Sequence, residues 1–235
     1  MSSGGDYLVI GYAPPSGLGL VDQRDRDVFG ELIPDGRVGT WSQTASGEIV
    51  WTLDPRPDEV RIEDAARGLA NECRYGRQLK RRGLWYAVAE HCCIVSDYVA
   101  RAYGPAFALE ALLHDIGEAW GFGDVPRPLK HDPRVRPLVD EIEDRWVTAA
   151  YARFGVISTP ESRAAIKAID DLIVVDEIFA VIRRPEIYFD RHPPQRRLHA
   201  KIQCLQPAVA EVAWLSRLAA LHPPSADEVA RLLAE

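Results

Sequence analysis

After Pro57 the chain changes character, and that change limits the folds open to it. From there on, apolar residues recur at the three-to-four spacing of an α-helix, and no alternating run of strand length follows. One predicted helix starts near Asp58 and carries Ile62, Ala65, Ala66, Leu69, Ala70 and Cys73 on one face, with Gly76 ending it. A second covers about 84–103, has Val88, Cys92, Val95 and Val99 as its stripe, and stops at Gly104-Pro105. A third covers about 106–120 and turns Leu109, Leu112, Leu113 and Ile116 inward. The run from Gly121 to Pro128 reads as a loop. Further helices are expected at about 134–154, 160–183, 206–221 and 225–234, punctuated by Pro193-Pro194 and Pro223-Pro224. The predicted fold class is mostly α, a helical bundle with short connections over 58–235.

Residues 1–57 read differently. Gly17, Gly19, Gly36, Gly39 and Gly47 break weak strand character at 7–12 and 40–53. Asp54-Pro55-Arg56-Pro57 excludes a helix interior, because each proline removes a donor and restricts the residue before it. The expectation is an irregular N-terminal arm packed on the core, with a small β-hairpin around Ser46-Gly47. Its glycines form no phosphate loop, since GxxxxGK[ST] is absent.

Charge and cysteine usage narrow the function classes. The 28 basic and 35 acidic residues give −7, which argues against a general nucleic-acid binder. A local basic pocket for one nucleotide stays open. No apolar run approaches the roughly 20 residues of a membrane helix. The N-terminus lacks a basic segment followed by a long apolar one, so a cytoplasmic protein is expected. Cys73, Cys92, Cys93 and Cys204 form no CxxC pair and read as reduced core residues.

The strongest chemical signal is Ala111-Leu112-Leu113-His114-Asp115-Ile116-Gly117-Glu118. Burying an Asp beside a His in so apolar a segment costs several kcal/mol unless something pairs with them. A divalent cation takes neutral imidazole and carboxylate together. On a helix His114 and Asp115 project about 100° apart, so both reach one ion only at a helix end or a crevice. Two further ligands suggest themselves. His91 stands on the inward flank of its helix, between Val88 and Val95. Asp170 is flanked at helical spacing by Ile166, Ile173 and Val174; Asp171, on a more mixed face, is the second choice. Two His and two Asp form a mixed N/O site for one Mn, Co, Fe, Mg or Zn ion, and residue types do not choose among them.

The order His91, His114-Asp115, Asp170 resembles the HD-domain metal-dependent phosphohydrolases. Thr40-Trp41, Trp51 to Pro57, Asn71 to Tyr75, Tyr86 to His91 and Gly123 to Lys130 resemble one branch: bacterial 5′-deoxynucleotidases and phage deoxynucleoside triphosphate triphosphohydrolases. Glu177, seven residues after Asp170, falls where that branch often has an acid. The resemblance covers about residues 40–185. It implies a metal held by His91, His114, Asp115 and Asp170. It also implies Glu118 as general base and Asp124 as its orienter, although the spacing between those two is one residue longer than usual. A partly buried carboxylate such as Glu118 has a raised pKa and suits the role of base.

A phosphate substrate needs cations, and Arg74 is the first candidate and Lys130 the second. Lys80-Arg81-Arg82 reads as a solvated loop. Trp85, Tyr86 and Trp120 are candidates to stack on a base, although aromatic residues in such segments are more often core. His131, His192, His199 and His222 read as surface residues. The expected protein is an enzyme that hydrolyses (deoxy)nucleotide phosphates and assembles as a homo-oligomer. The alternatives are hydrolysis of a signalling nucleotide, or a non-catalytic nucleotide-sensing module.

Overall fold

The computed structural model describes residues 33, 36–120, 123–191, 196–225, 227, 228, 231 and 232. The expected strand at 7–12, Gly17, Gly19, Gly121, Phe122, His192 and Pro193-Pro194 lie outside them. Among the described residues the chain is mostly helical, with one small β-hairpin.

That hairpin is the one expected at Ser46-Gly47. Strands β1 (Trp41–Gln43) and β2 (Ile49–Trp51) pair antiparallel, with Trp41 opposite Trp51 and Ser42 opposite Val50. Gly47 takes φ +87°, a conformation that a residue with a Cβ resists. The hairpin is fastened to the helices by two side chains. The Asp64 carboxylate accepts from the Ser46 amide and hydroxyl, both at 2.8 Å. The Trp146 indole donates to the Thr52 carbonyl at 3.0 Å.

Helix α1 (Ile62–Asn71) starts later than Asp58, because Pro57–Glu59 forms a separate 3-10 turn and Val60 and Arg61 are extended. It buries Ile62, Ala65, Ala66, Leu69 and Ala70, the face expected. It also ends before Gly76. The Val88 amide donates to Glu72 O and the Arg74 amide to Tyr86 O, with Cys73 opposite Ala87. This short antiparallel pairing delays α2 to Val88–Tyr103, and it sets Arg74 beside Tyr86. The α2 stripe Val88, Cys92, Val95 and Val99 is wholly buried, and Gly104 ends the helix at φ +96°.

The expected single helix over 106–120 is broken. A 3-10 turn at Pro105–Phe107 leads into α3 (Ala108–Leu113); His114 and Asp115 follow as a turn, and Ile116–Ala119 is 3-10. Helix α4 (Arg127–Lys130) occupies the end of the expected loop. Then come α5 (Arg136–Phe154), α6 (Pro160–Val181), α7 (Glu186–Phe189) and α8 (Pro207–Leu221). Residues 227, 228, 231 and 232 are helical as well. Thr159 and Ser162 cap α6 reciprocally.

Two apolar clusters lie on either side of the α2–α3 pair. The larger joins α1, α2, α3, α5 and α8 around Trp146 and Trp214. The smaller joins α2, α3 and α6 through Val95, Val99, Ala111, Ile166, Ile169 and Ile173. The extended stretch before α8 is held by two buried acids. Glu90 accepts from the amides of Gln203, Cys204 and Leu205, and Asp176 from those of Leu198 and Ala200. Among the described residues no helix is long and apolar enough to cross a membrane, and all four cysteines are free.

Candidate metal centre

Three elements deliver donors to one point. The first turns of α2 carry His91, the break after α3 carries His114 and Asp115, and the middle of α6 carries Asp170. Nε2 of His91 lies 3.4 Å from each of His114 Nε2, Asp115 Oδ2 and Asp170 Oδ1. His114 Nε2 lies 3.3 Å from Asp115 Oδ2. Donors about 2.0–2.2 Å from a shared ion stand about 3.0–3.5 Å apart, so these spacings fit a coordination shell. The helix break is what allows it: α3 ends at Leu113, and Asp115, at φ −105° and ψ 20°, leaves helical geometry.

The outward nitrogens fix the inward ones. Nδ1–H of His114 donates to the Ala111 carbonyl at 2.8 Å. Nδ1–H of His91 donates to Glu177 Oε1 at 2.6 Å. Both rings therefore present Nε2 to the centre, the arrangement by which an outer partner sets tautomer and orientation. Asp171, the second choice for ligand, is exposed and pairs with Lys167 and Arg127.

Glu177 is the hub of the outer layer. It is wholly buried and also accepts from the hydroxyls of Tyr86 (2.6 Å) and Tyr75 (2.7 Å) and from Arg74 Nη2 (3.4 Å). Burial would raise its pKa, but the charges of Arg74 and His91 and these hydrogen bonds hold it well below the usual carboxylate range. Burial likewise works against Asp170 and Asp115. His91 by hydrogen bond and charge keeps the first ionised, and the charges of His114 and His91 the second. Burial and the Arg74 charge push His91 down, yet Glu177 and Asp170 outweigh them and raise it to about 9. Between these carboxylates the His91 ring is thus favoured as an imidazolium.

Glu118 and Arg74 border this centre. Glu118 is buried, its Oε2 has no hydrogen-bond partner, and burial followed by the Asp115 and Asp124 charges raises its pKa well above the ordinary value. Arg74 reaches Asp115 Oδ2 at 3.5 Å with Nη1, while its buried Nε has no partner. Asp124 Oδ2 accepts the Tyr75 amide at 2.9 Å. The preceding Gly123 takes φ +65°, a left-handed conformation that favours glycine.

The remaining candidates sit elsewhere. Tyr86 is buried, with its hydroxyl on Glu177, so its ring has no face open to a base. Trp120 stacks on Trp146, centroids 4.1 Å apart, inside the core. Trp85 packs partly on that core and donates to the Ala70 carbonyl at 3.0 Å. Lys130 pairs with Glu143 at 2.6 Å. His131 and His199 are exposed as expected, but His222 is half-buried, edge-on to Phe154. Sequence reasoning missed Arg127 and Lys167, which approach Asp170 Oδ2 at 3.9 and 3.5 Å from the rim. Lys167 was legible through its i, i+3 spacing to Asp170; Arg127 had no such signal. Tyr75, too, was seen only as part of a motif.

No family model matches the chain. An uncharacterized protein of Rhodobacter capsulatus is 38% identical to it over 136 residues, an alignment spanning 55% of this chain and 67% of that protein. The chain belongs to that protein's family. The likeness carries no activity with it, so the chemistry rests on the centre itself.

Proposed function

We propose that this protein is a metal-dependent phosphohydrolase of the HD-domain type, acting on (deoxy)nucleotide phosphates. The convergence of His91, His114, Asp115 and Asp170 carries this reading. The set is two neutral-nitrogen and two carboxylate donors, which suits Mn, Co, Fe, Mg or Zn. A divalent ion held there supplies charge that polarises a phosphoryl oxygen and acidifies water.

The residues around it supply the rest. The Arg74 guanidinium, with Nη1 3.5 Å from Asp115 Oδ2, borders the centre and has a fork suited to phosphate oxygens. Arg127 and Lys167 add positive charge at the rim, where further phosphate charge would lie. Glu118, with its pKa raised, takes the proton from the attacking water. Asp124, held by the Tyr75 amide, lies close enough for its charge to act on Glu118. Attack on the phosphorus of a nucleoside monophosphate would give nucleoside and phosphate; attack on the α-phosphorus of a triphosphate, with the 5′-oxygen as leaving group, would give nucleoside and triphosphate.

A panel of deoxy- and ribonucleoside mono- and triphosphates, with Mn²⁺ or Co²⁺ and product identification, tests this. Release of phosphate or triphosphate that His114→Ala and Asp115→Ala abolish is the expected result. Binding without release, or activity that survives either substitution, refutes it.

A further inference from the structure

One donor near the centre is left over. The ligating atoms of Cys92, His114 and Asp115 all lie within 4.8 Å of one another. Cys92 is wholly buried on α2, directly after His91 and about 100° around the helix from it. Its thiol therefore approaches the His114-Asp115 turn from a different side than His91 does. The contacts of Asp115 with His91, His114 and Arg74 all run through Oδ2, so Oδ1 takes part in none of them. A thiolate, an imidazole and a carboxylate form a softer set than two imidazoles and two carboxylates. In a tetrahedral zinc shell, with sulfur about 2.3 Å and nitrogen or oxygen about 2.0–2.2 Å from the ion, donors stand about 3.5 Å apart.

We propose that Cys92, His114 and Asp115 form a second, overlapping site that takes a thiophilic divalent ion of the Zn²⁺ or Cd²⁺ class. The two sites exclude each other. His114 spends Nδ1 on the Ala111 carbonyl, so Nε2 is its one donor for either ion. Binding converts the Cys92 thiol to a metal-bound thiolate and releases one proton to solvent, with no change of oxidation state. A soft ion there takes His114 and Asp115 from the four-donor centre and so acts as an inhibitor. That consequence rests on the phosphohydrolase reading; the binding does not.

Cd²⁺ titration of the metal-stripped protein tests the site, read by the ultraviolet thiolate-to-cadmium charge-transfer band. Wild type develops the band, and Cys92→Ser and Cys92→Ala remove it. Losing a direct donor costs at least what an outer-shell change costs, so Cd²⁺ affinity falls about 10-fold or more. A wild type without the band, or a band that survives both substitutions and so comes from Cys73, Cys93 or Cys204, overturns the proposal. Mn²⁺ binding, followed by electron paramagnetic resonance, reads the four-donor centre separately and is retained by both variants if they fold. Mn²⁺ binding with no Cd²⁺–thiolate band sinks the second site and leaves the phosphohydrolase reading standing. A Cys92-dependent band without Mn²⁺ binding does the reverse.

Discussion

Oε1 of Glu177 lies 2.6 Å from Nδ1 of His91, although 86 residues separate them in the chain. The same carboxylate gathers Tyr75, Tyr86 and Arg74, so one side chain of α6 orders both the His91 imidazole and the guanidinium beside it. Glu177→Ala removes the acceptor that fixes the His91 tautomer and leaves buried hydroxyls unpaired. Metal affinity should fall about 10- to 100-fold, the usual cost of losing such a partner. Isothermal titration with Mn²⁺ checks this, with Glu177→Gln expected to retain more affinity because its amide oxygen still accepts from Nδ1.

Metal binding should depend on pH through His91. Its pKa in the metal-free fold is about 9, against an ordinary 6.5. An ion must displace that proton, so affinity should rise with pH up to about 9 and then level off. Stability of the metal-free protein follows the opposite course. A pKa raised by folding stabilises fully below pH 6.5, and that contribution is lost as pH climbs through about 9. Thermal melts of stripped protein between those limits should show a falling Tm. His91→Gln should flatten the trend.

Trp120 is a core residue that the sequence offered as a stacking platform. Its ring lies parallel to that of Trp146, at 8° and 4.1 Å, and both are buried. Trp120→Ala should destabilise by about 3–5 kcal/mol, as large-to-small core changes do. Urea unfolding measures this. Nucleotide KM in the folded fraction should stay near that of wild type; a large rise in KM with unchanged stability would restore the stacking role.

Gly68 allows α1 to touch the turn that carries Glu118. A Cβ there would meet the Ala119 carbonyl oxygen at 2.4 Å and its Cα at 2.9 Å, both backbone atoms with no room to yield. Gly68→Ala should therefore cost about 1–3 kcal/mol despite its better helix propensity. Because the displaced turn bears Glu118, turnover should fall more than Mn²⁺ affinity does, and the two measurements together separate this from simple unfolding.

The periodicity after Pro57 determined the helical class and the buried faces of α1 and α2, and the turn residues at Ser46-Gly47 determined the hairpin, because those depend on neighbours within a turn or two. The proximity of His91, His114, Asp115 and Asp170 was legible as well, since a His or Asp on an apolar face is conspicuous in one dimension. Three things were not. The helix over 106–120 breaks at His114-Asp115, where donors from α2 and α6 converge and local propensity loses to tertiary demand. The partners that bury Tyr86 and Trp120 were not readable, because Glu177 and Trp146 come from distant helices. The placing of Arg127 and Cys92 near the centre came from packing alone. Spacing along one helix records which side chains share a face; which faces then meet depends on how several helices bury their apolar surface at once, and only the assembled fold decides that.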